Sequence, residues 1–135
     1  MVSNSEHMAP VAIVTALMLL EYFIFAALVG RARVMHGVSA PATSGDPIFE
    51  RYFRVHMNTL EMLVIVLPAM WLFAWYISVM IAAGFGLVFV VGRYLYLRGY
   101  VADPAKRSPG FIVSAAAEAV LLLGALFGAM ATYFF

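Results

Sequence analysis

The chain has 135 residues, of which 65% are hydrophobic and only 11% charged, with a mean hydropathy of +0.98 and a net charge of +1. Soluble domains average about 45–50% apolar and about 25% charged residues, so a soluble globular fold is excluded. The sequence describes an integral membrane protein with room for about four spans of ~20 residues and no separate soluble domain. It contains no cysteine, which rules out disulfides, cysteine-ligated zinc, iron–sulfur clusters and a protein thiol nucleophile. Any thiol chemistry must use a thiol brought by a substrate.

The polar leader Met1 to Met8 has no basic n-region and precedes no A-x-A-like cleavage site, so the first apolar run is expected to be retained as a span. Span one is Pro10 to Gly30, closed by Gly-Arg-Ala-Arg, a helix stop followed by interfacial charge. Val34 to Glu50, with Gly37, Pro41, Gly45 and Pro47, reads as a loop. Apolar character then runs from Phe53 to Gly92, which is too long for one crossing of ~30 Å. Arg51 and Arg54 stand at one end of this run and Arg93 and Arg98 at the other. A hairpin turning near Tyr76 to Ala83 puts all four on one side, giving span two as Phe53 to Tyr76 and span three as Met80 to Tyr100. After the polar loop Val101 to Ser108, span four covers Pro109 to Tyr133. The expected fold is thus all-α: one four-transmembrane-helix domain over residues 1–135, with spans at about 10–30, 53–76, 80–100 and 109–133.

All eight Lys and Arg residues fall in or beside two loops on one side. The positive-inside rule makes loops 31–52 and 101–108 cytoplasmic and puts both termini on the outer or lumenal side. Span four carries Gly124-x-x-x-Gly128 after the small residues Ser114 to Ala117, a pattern that lets helix backbones approach closely. Packing within one subunit is the expected use, and a subunit interface the alternative.

Chemistry concentrates in Arg54-Val55-His56-Met57-Asn58-Thr59-Leu60-Glu61. On a helix Arg54, Asn58 and Glu61 occupy a sector roughly 60° wide. Ionisable groups at membrane depth are costly, so such a stripe faces a protein interior or a wet cavity, as a ligand site or as a polar clasp between helices. Arg93, Tyr96 and Tyr100 form a second one-face stripe on span three. Both stripes begin on the same membrane side and converge on the cytoplasmic mouth. Glu21 and Glu118 also lie at apolar depth, without a cation on their own helix. His56 is close enough to the stripe to serve as a hydrogen-bonding group. A metal is not expected, because His56 and Glu61 are about 140° apart on a helix. The arginines suit carboxylates, and a glutamate suits an ammonium. Glutathione, a small zwitterion with several carboxylates, an amine and a thiol, has that layout.

Phe49-Glu50-Arg51, Arg54-x-His56-x-Asn58-x-x-Glu61 and Gly92-Arg93-Tyr94-x-Tyr96-x-x-Gly99-Tyr100, in that order on successive spans, resemble the MAPEG family, the membrane-associated proteins of eicosanoid and glutathione metabolism. The resemblance implies a homotrimer of four-helix subunits, with glutathione bound between neighbouring subunits near the cytosolic side. It implies glutathione contacts from Arg54, His56, Asn58, Glu61, Arg93, Tyr96 and Tyr100, with Arg33 as a further ligand-binding arginine. Arg107, at the start of span four, takes the place of the arginine that stabilises the glutathione thiolate, and is the catalytic residue the resemblance implies. The activity implied is a membrane-bound glutathione transferase, with or without peroxidase activity, acting on lipophilic electrophiles or lipids dissolved in the bilayer, with no metal and no nucleic-acid partner. His56 agrees with the prostaglandin E synthase and microsomal glutathione transferase branches, and Gly92 to Tyr100 with the leukotriene C synthase branch, so the lipid substrate stays open. A glutathione-dependent lipid isomerase, a non-enzymatic lipid-binding accessory protein of the same family, and a small transporter or channel subunit built on Glu21, Glu61 and Glu118 remain alternatives.

Overall fold

Side-chain caps open three of the four long helices among the described residues. The computed structural model describes residues 3–135; Met1 and Val2 of the leader lie outside the described residues. Helix α1, Asn4–His36, opens with a capping box in which the Ser3 hydroxyl accepts from the Glu6 amide while the Glu6 carboxylate accepts from the Ser3 amide. It ends at Gly37, which takes the left-handed conformation at φ 69° and donates its amide to the Arg33 carbonyl. Helix α2, Pro47–Tyr76, begins with Asp46 accepting from the amides of Ile48 and Phe49, followed by proline at the first helical position. Only Ile77 and Ser78 separate it from α3, Val79–Ala102, which Ser78 caps through the Ile81 amide. Asp103 ends α3 and caps a single 3-10 turn, Pro104–Lys106, and α4 runs Ser108–Phe134.

The helices outrun the spans read from hydropathy. Gly30, expected as the helix stop, lies inside α1, and Val34 to His36, expected as loop, continue the helix, because the first glycine in the left-handed conformation is Gly37. The segment Pro47 to Tyr52 belongs to α2, because Asp46-Pro47 is a cap followed by an N1 proline rather than a turn. Polarity marks where a chain leaves the lipid; capping marks where a helix ends. The shortest of the four helices, α3 with 24 residues, is ~36 Å long and still exceeds a hydrocarbon core of ~30 Å.

Helices α2 and α3 pack against every other long helix. The central core joins Val11, Val14 and Met18 of α1, Val66 and Met70 of α2, Phe89 of α3 and Leu121 of α4. Large apolar side chains such as Phe23, Trp75, Met80 and Phe127 remain on the outside, as a bundle solvated by lipid requires. The indole of Trp71 reaches the Thr15 hydroxyl at 2.9 Å, tying α2 to α1. Gly124 and Gly128 are used within the chain. A Cβ on Gly124 would strike the Phe73 ring, and one on Gly128 would come within 2.9 Å of Tyr76 and Ile77. The small-residue motif of α4 therefore seats the end of α2.

Both connections carrying basic residues lie at one end of the bundle. Arg51, at the start of α2, donates to the Val101 carbonyl at 3.0 Å, joining that end of α2 to the end of α3.

Candidate functional site

The α2 stripe forms as the helical repeat requires. Arg54 Nη1 lies 3.4 Å from Glu61 Oε1, and Asn58 Nδ2 lies 3.5 Å from Glu61 Oε2. The Arg54 and Glu61 side chains are nevertheless 52% and 56% exposed. The pair lies open on the outside of the bundle.

Beneath the stripe sits Arg93, whose exposure is 0%. Its Nη1 donates to Asn58 Oδ1 at 2.6 Å, and its Nε and Nη2 donate to Ser114 Oγ at 3.1 and 2.7 Å. The Ser114 hydroxyl in turn donates to the Gly110 carbonyl at 2.8 Å. The guanidinium lies 4.3 Å from the centroid of the Tyr96 ring, a cation–π distance. Glu21 of α1 and Glu118 of α4 both lie within electrostatic reach of Arg93. Neither carboxyl forms an ion pair or hydrogen bond with Arg93 among the described residues, and Glu118 Oε1 is buried without a hydrogen-bond partner. One planar fork links α2, α3 and α4, which a lysine could not do.

The close approach of α3 and α4 places the remaining groups. A Cβ on Gly110 would collide with the backbone of Tyr96, so only glycine allows this contact. It brings the first turn of α4 against the second stripe. Tyr96 and Tyr100 have ring centroids 5.4 Å apart, and Phe111 of α4 lies 6.3 Å from Tyr96. Arg107 precedes α4, its Nη1 donating to the Pro104 carbonyl at 2.9 Å. No side chain caps this helix, so its first amides and the positive end of its dipole face outward.

The outcome is a groove of about 720 Å³ lined by Arg54, Asn58, Tyr96, Tyr100, Arg107, Ser108, Phe111 and Ile112. It brings together Arg54, Asn58, Tyr96, Tyr100 and Arg107, with Glu61 beside it through Arg54. Arg93 forms the floor rather than the lining. His56 and Arg33 are elsewhere. The His56 ring stacks on Tyr22 of α1, centroids 4.5 Å apart and 9° from parallel, and its Nε2 is buried without a hydrogen-bond partner. Arg33 donates to the carbonyls of Ala42 and Val38 and lies 4.6 Å over the Phe49 ring. On α2, His56 is about 200° from Arg54, so the two cannot reach one small ligand within one chain.

Sequence reasoning missed Ser114, taken only as a packing residue, and Ser108, Phe111 and Ile112. The available signal was that Ser114 is a hydroxyl four residues after Gly110, the spacing at which serine bonds a helix carbonyl. Among the described residues no group of three His, Asp or Glu side chains could hold a metal ion. The groove presents two guanidiniums, an amide, two phenols and a helix N-terminus beside an apolar rim of Phe111 and Ile112. It is suited to an anionic, several-armed ligand reacting with something dissolved in lipid.

Comparison with known proteins agrees with the residue pattern. The MAPEG family model matches residues 11–127. Microsomal glutathione S-transferase 2 of Homo sapiens is 40% identical over 127 residues, covering 93% of this chain and 84% of the relative. An uncharacterized protein of Synechocystis sp. is 45% identical over 115 residues, covering 85% and 84%. Leukotriene C4 synthase of Cavia porcellus is 35% identical over 128 residues, covering 95% and 85%. With a family match across most of its length and relatives aligned nearly end to end, the chain belongs to the MAPEG family.

Proposed function

We propose that the chain is a membrane glutathione transferase that binds glutathione in the groove between α2, α3 and α4 and joins it to lipophilic electrophiles entering from the bilayer. The observation that carries this reading is the convergence, in one groove, of Arg54, Asn58, Tyr96, Tyr100 and Arg107 beside the exposed apolar Phe111 and Ile112. Two relatives by name a glutathione S-transferase and a leukotriene C4 synthase give it independent support.

Arg54 takes a glutathione carboxylate, Glu61 its ammonium, and Asn58, Tyr96 and Tyr100 its peptide and remaining carboxylate groups. Arg107, with the uncapped start of α4 beside it, faces the thiol. A thiol of pKa near 8.5 is mostly protonated at neutral pH, and a guanidinium in a poorly hydrated site favours the thiolate by about 1.4 kcal/mol for each unit of lowering. The thiolate attacks an electrophilic carbon. A C–S bond forms, the bond to the leaving group breaks, and the leaving group departs with the electron pair. Holding both reactants in one groove supplies much of the acceleration.

The site is completed by a second copy of the chain within a homotrimer. A half-exposed Arg54–Glu61 pair at membrane depth needs covering, and a neighbouring copy of the chain is the cover proposed here. The basic end of the bundle is cytoplasmic by the distribution of lysine and arginine, so the groove opens near that surface.

The test is isothermal calorimetry of glutathione with the detergent-purified protein, paired with conjugation of glutathione to 1-chloro-2,4-dinitrobenzene. Saturable binding and enzyme-dependent conjugate are expected. Binding without any conjugate would favour the accessory lipid-binding reading, and neither binding nor conjugate would refute the proposal.

A further inference from the structure

We infer that the chain carries a binding site for the headgroup of an anionic phospholipid, one per subunit, between Arg31 of α1 and Arg98 of α3. The site lies apart from the groove. Arg33, Arg51, Arg54, Arg93 and Arg107 each donate to a carbonyl, carboxylate, amide or hydroxyl of the chain itself. Arg31 and Arg98 make no such bond among the described residues, and both are exposed. These unoccupied guanidiniums flank two clefts that share Leu28 and Tyr52. The cleft beside Arg31 is about 230 Å³ and that beside Arg98 about 340 Å³.

The surroundings match one end of a lipid. Leu28, Leu97 and Val101 give the clefts apolar walls, and Tyr52 lines both, its phenol an additional donor. Asp46, across from His36 in the first cleft, is already committed to His36 Nδ1 at 3.5 Å and to the first amides of α2. A phosphodiester accepts well from arginine forks. Basic pockets between helices at the cytoplasmic surface, where the leaflet is itself anionic, are where such headgroups bind. A net-anionic lipid is specified over phosphatidylcholine, whose own cation would meet Arg31 or Arg98. Neither cleft shares a lining residue with the groove, so the inference stands without the glutathione reading.

The experiment is native mass spectrometry of the full chain in uncharged detergent, titrated separately with dioleoyl phosphatidylglycerol, dioleoyl phosphatidylcholine and soluble glycerophosphoglycerol. One phosphatidylglycerol per subunit is expected, bound at least about tenfold more tightly than the other two. Each of Arg31→Gln and Arg98→Gln should weaken it by about tenfold, since each removes a charged hydrogen bond. Lys106→Gln, which removes a cation on the same side but outside the clefts, should change it by less than about twofold, because a neutral micelle has no charged surface to favour diffuse attraction. Arg31→Lys and Arg98→Lys, which keep charge but lose the fork, should fall in between. Equal affinity for phosphatidylcholine, or equal losses in all three glutamine variants, would overturn the site. Equally tight glycerophosphoglycerol would overturn the membrane as the source of the ligand.

Discussion

Substitution of Arg93 separates a residue that touches the ligand from one that holds the groove in shape. The guanidinium is wholly buried, with Asn58 at 2.6 Å on one side and Ser114 at 2.7 and 3.1 Å on the other. Arg93→Met strands the Asn58 amide oxygen and takes both guanidinium donors from the Ser114 hydroxyl. Leaving a buried acceptor without its donor costs about 1–3 kcal/mol. Arg93→Lys retains the charge, but one ammonium cannot reach both Asn58 on α2 and Ser114 on α4. It should lose about 1.5–3 kcal/mol, the worth of a charged hydrogen bond. The assay is unfolding of the detergent-solubilised protein by sodium dodecyl sulfate, followed by the fluorescence of Trp71 and Trp75, with glutathione calorimetry on the same samples. Arg93→Lys is expected to lose stability and, because Asn58 is freed, to bind glutathione about tenfold more weakly. An Arg93→Met protein of unchanged stability that had lost glutathione binding would refute the reasoning, since it would put Arg93 in contact with ligand. So would an Arg93→Lys protein like wild type in both measurements.

Gly110→Ala places a methyl against the Tyr96 backbone and should destabilise the bundle by about 1–3 kcal/mol while raising the glutathione dissociation constant, because Tyr96 and Arg107 move apart; an unchanged constant would separate the helix contact from the site. Gly128→Ala, blocked by Tyr76 and Ile77 at 2.9 Å, should lower stability by a similar about 1–3 kcal/mol with no change in mass by light scattering, and loss of the oligomer instead would move the motif to a subunit interface. Arg107→Ala should leave glutathione affinity within a few fold but abolish the ultraviolet absorbance of bound thiolate at neutral pH; equal absorbance in mutant and wild type would assign thiolate stabilisation to another arginine, with Arg33 the next to test. Trp71→Phe removes the bond to the Thr15 hydroxyl at 2.9 Å and should cost about 0.5–1.5 kcal/mol in the same unfolding assay, with glutathione binding unaltered.

The helices were legible because a membrane leaves little choice of backbone. Once Pro10 to Gly30 and Phe53 to Gly92 read as apolar at spanning length, unsatisfied backbone groups in lipid demand helix, and arginines at the two ends of the second run demand a hairpin. Hydropathy could not report the helical extensions at Val34 to His36 and Pro47 to Tyr52. They stand where water and lipid headgroups begin, and there Gly37 and Asp46 decide the ends. Nor could it decide what Gly124 and Gly128 pack against. Spacing shows that a helix has a smooth face, but the partner, here Phe73 to Ile77, depends on how the helices are arranged around one another.

In the groove, legibility follows the same division between what lies along one helix and what lies across several. Arg54, Asn58 and Glu61 share a face by arithmetic, as do Arg93, Tyr96 and Tyr100, and both groupings recur in space. The depth of each member is not in that arithmetic. Arg93 and Tyr96 occupy one stripe, yet the first is the floor and the second the wall, because Gly110 draws α4 down over the stripe and Ser114 engages the guanidinium. Conversely His56, two residues from Arg54, leaves the groove and stacks on Tyr22. A residue adjacent in a motif can thus be the most distant from its neighbour's ligand. If His56 and Arg33 act on the same glutathione as Arg54, they must do so from another copy of the chain. Oligomer formation and ligand affinity would then be linked, and dilution of the detergent-purified protein should weaken glutathione binding and dissociate the oligomer over the same concentration range.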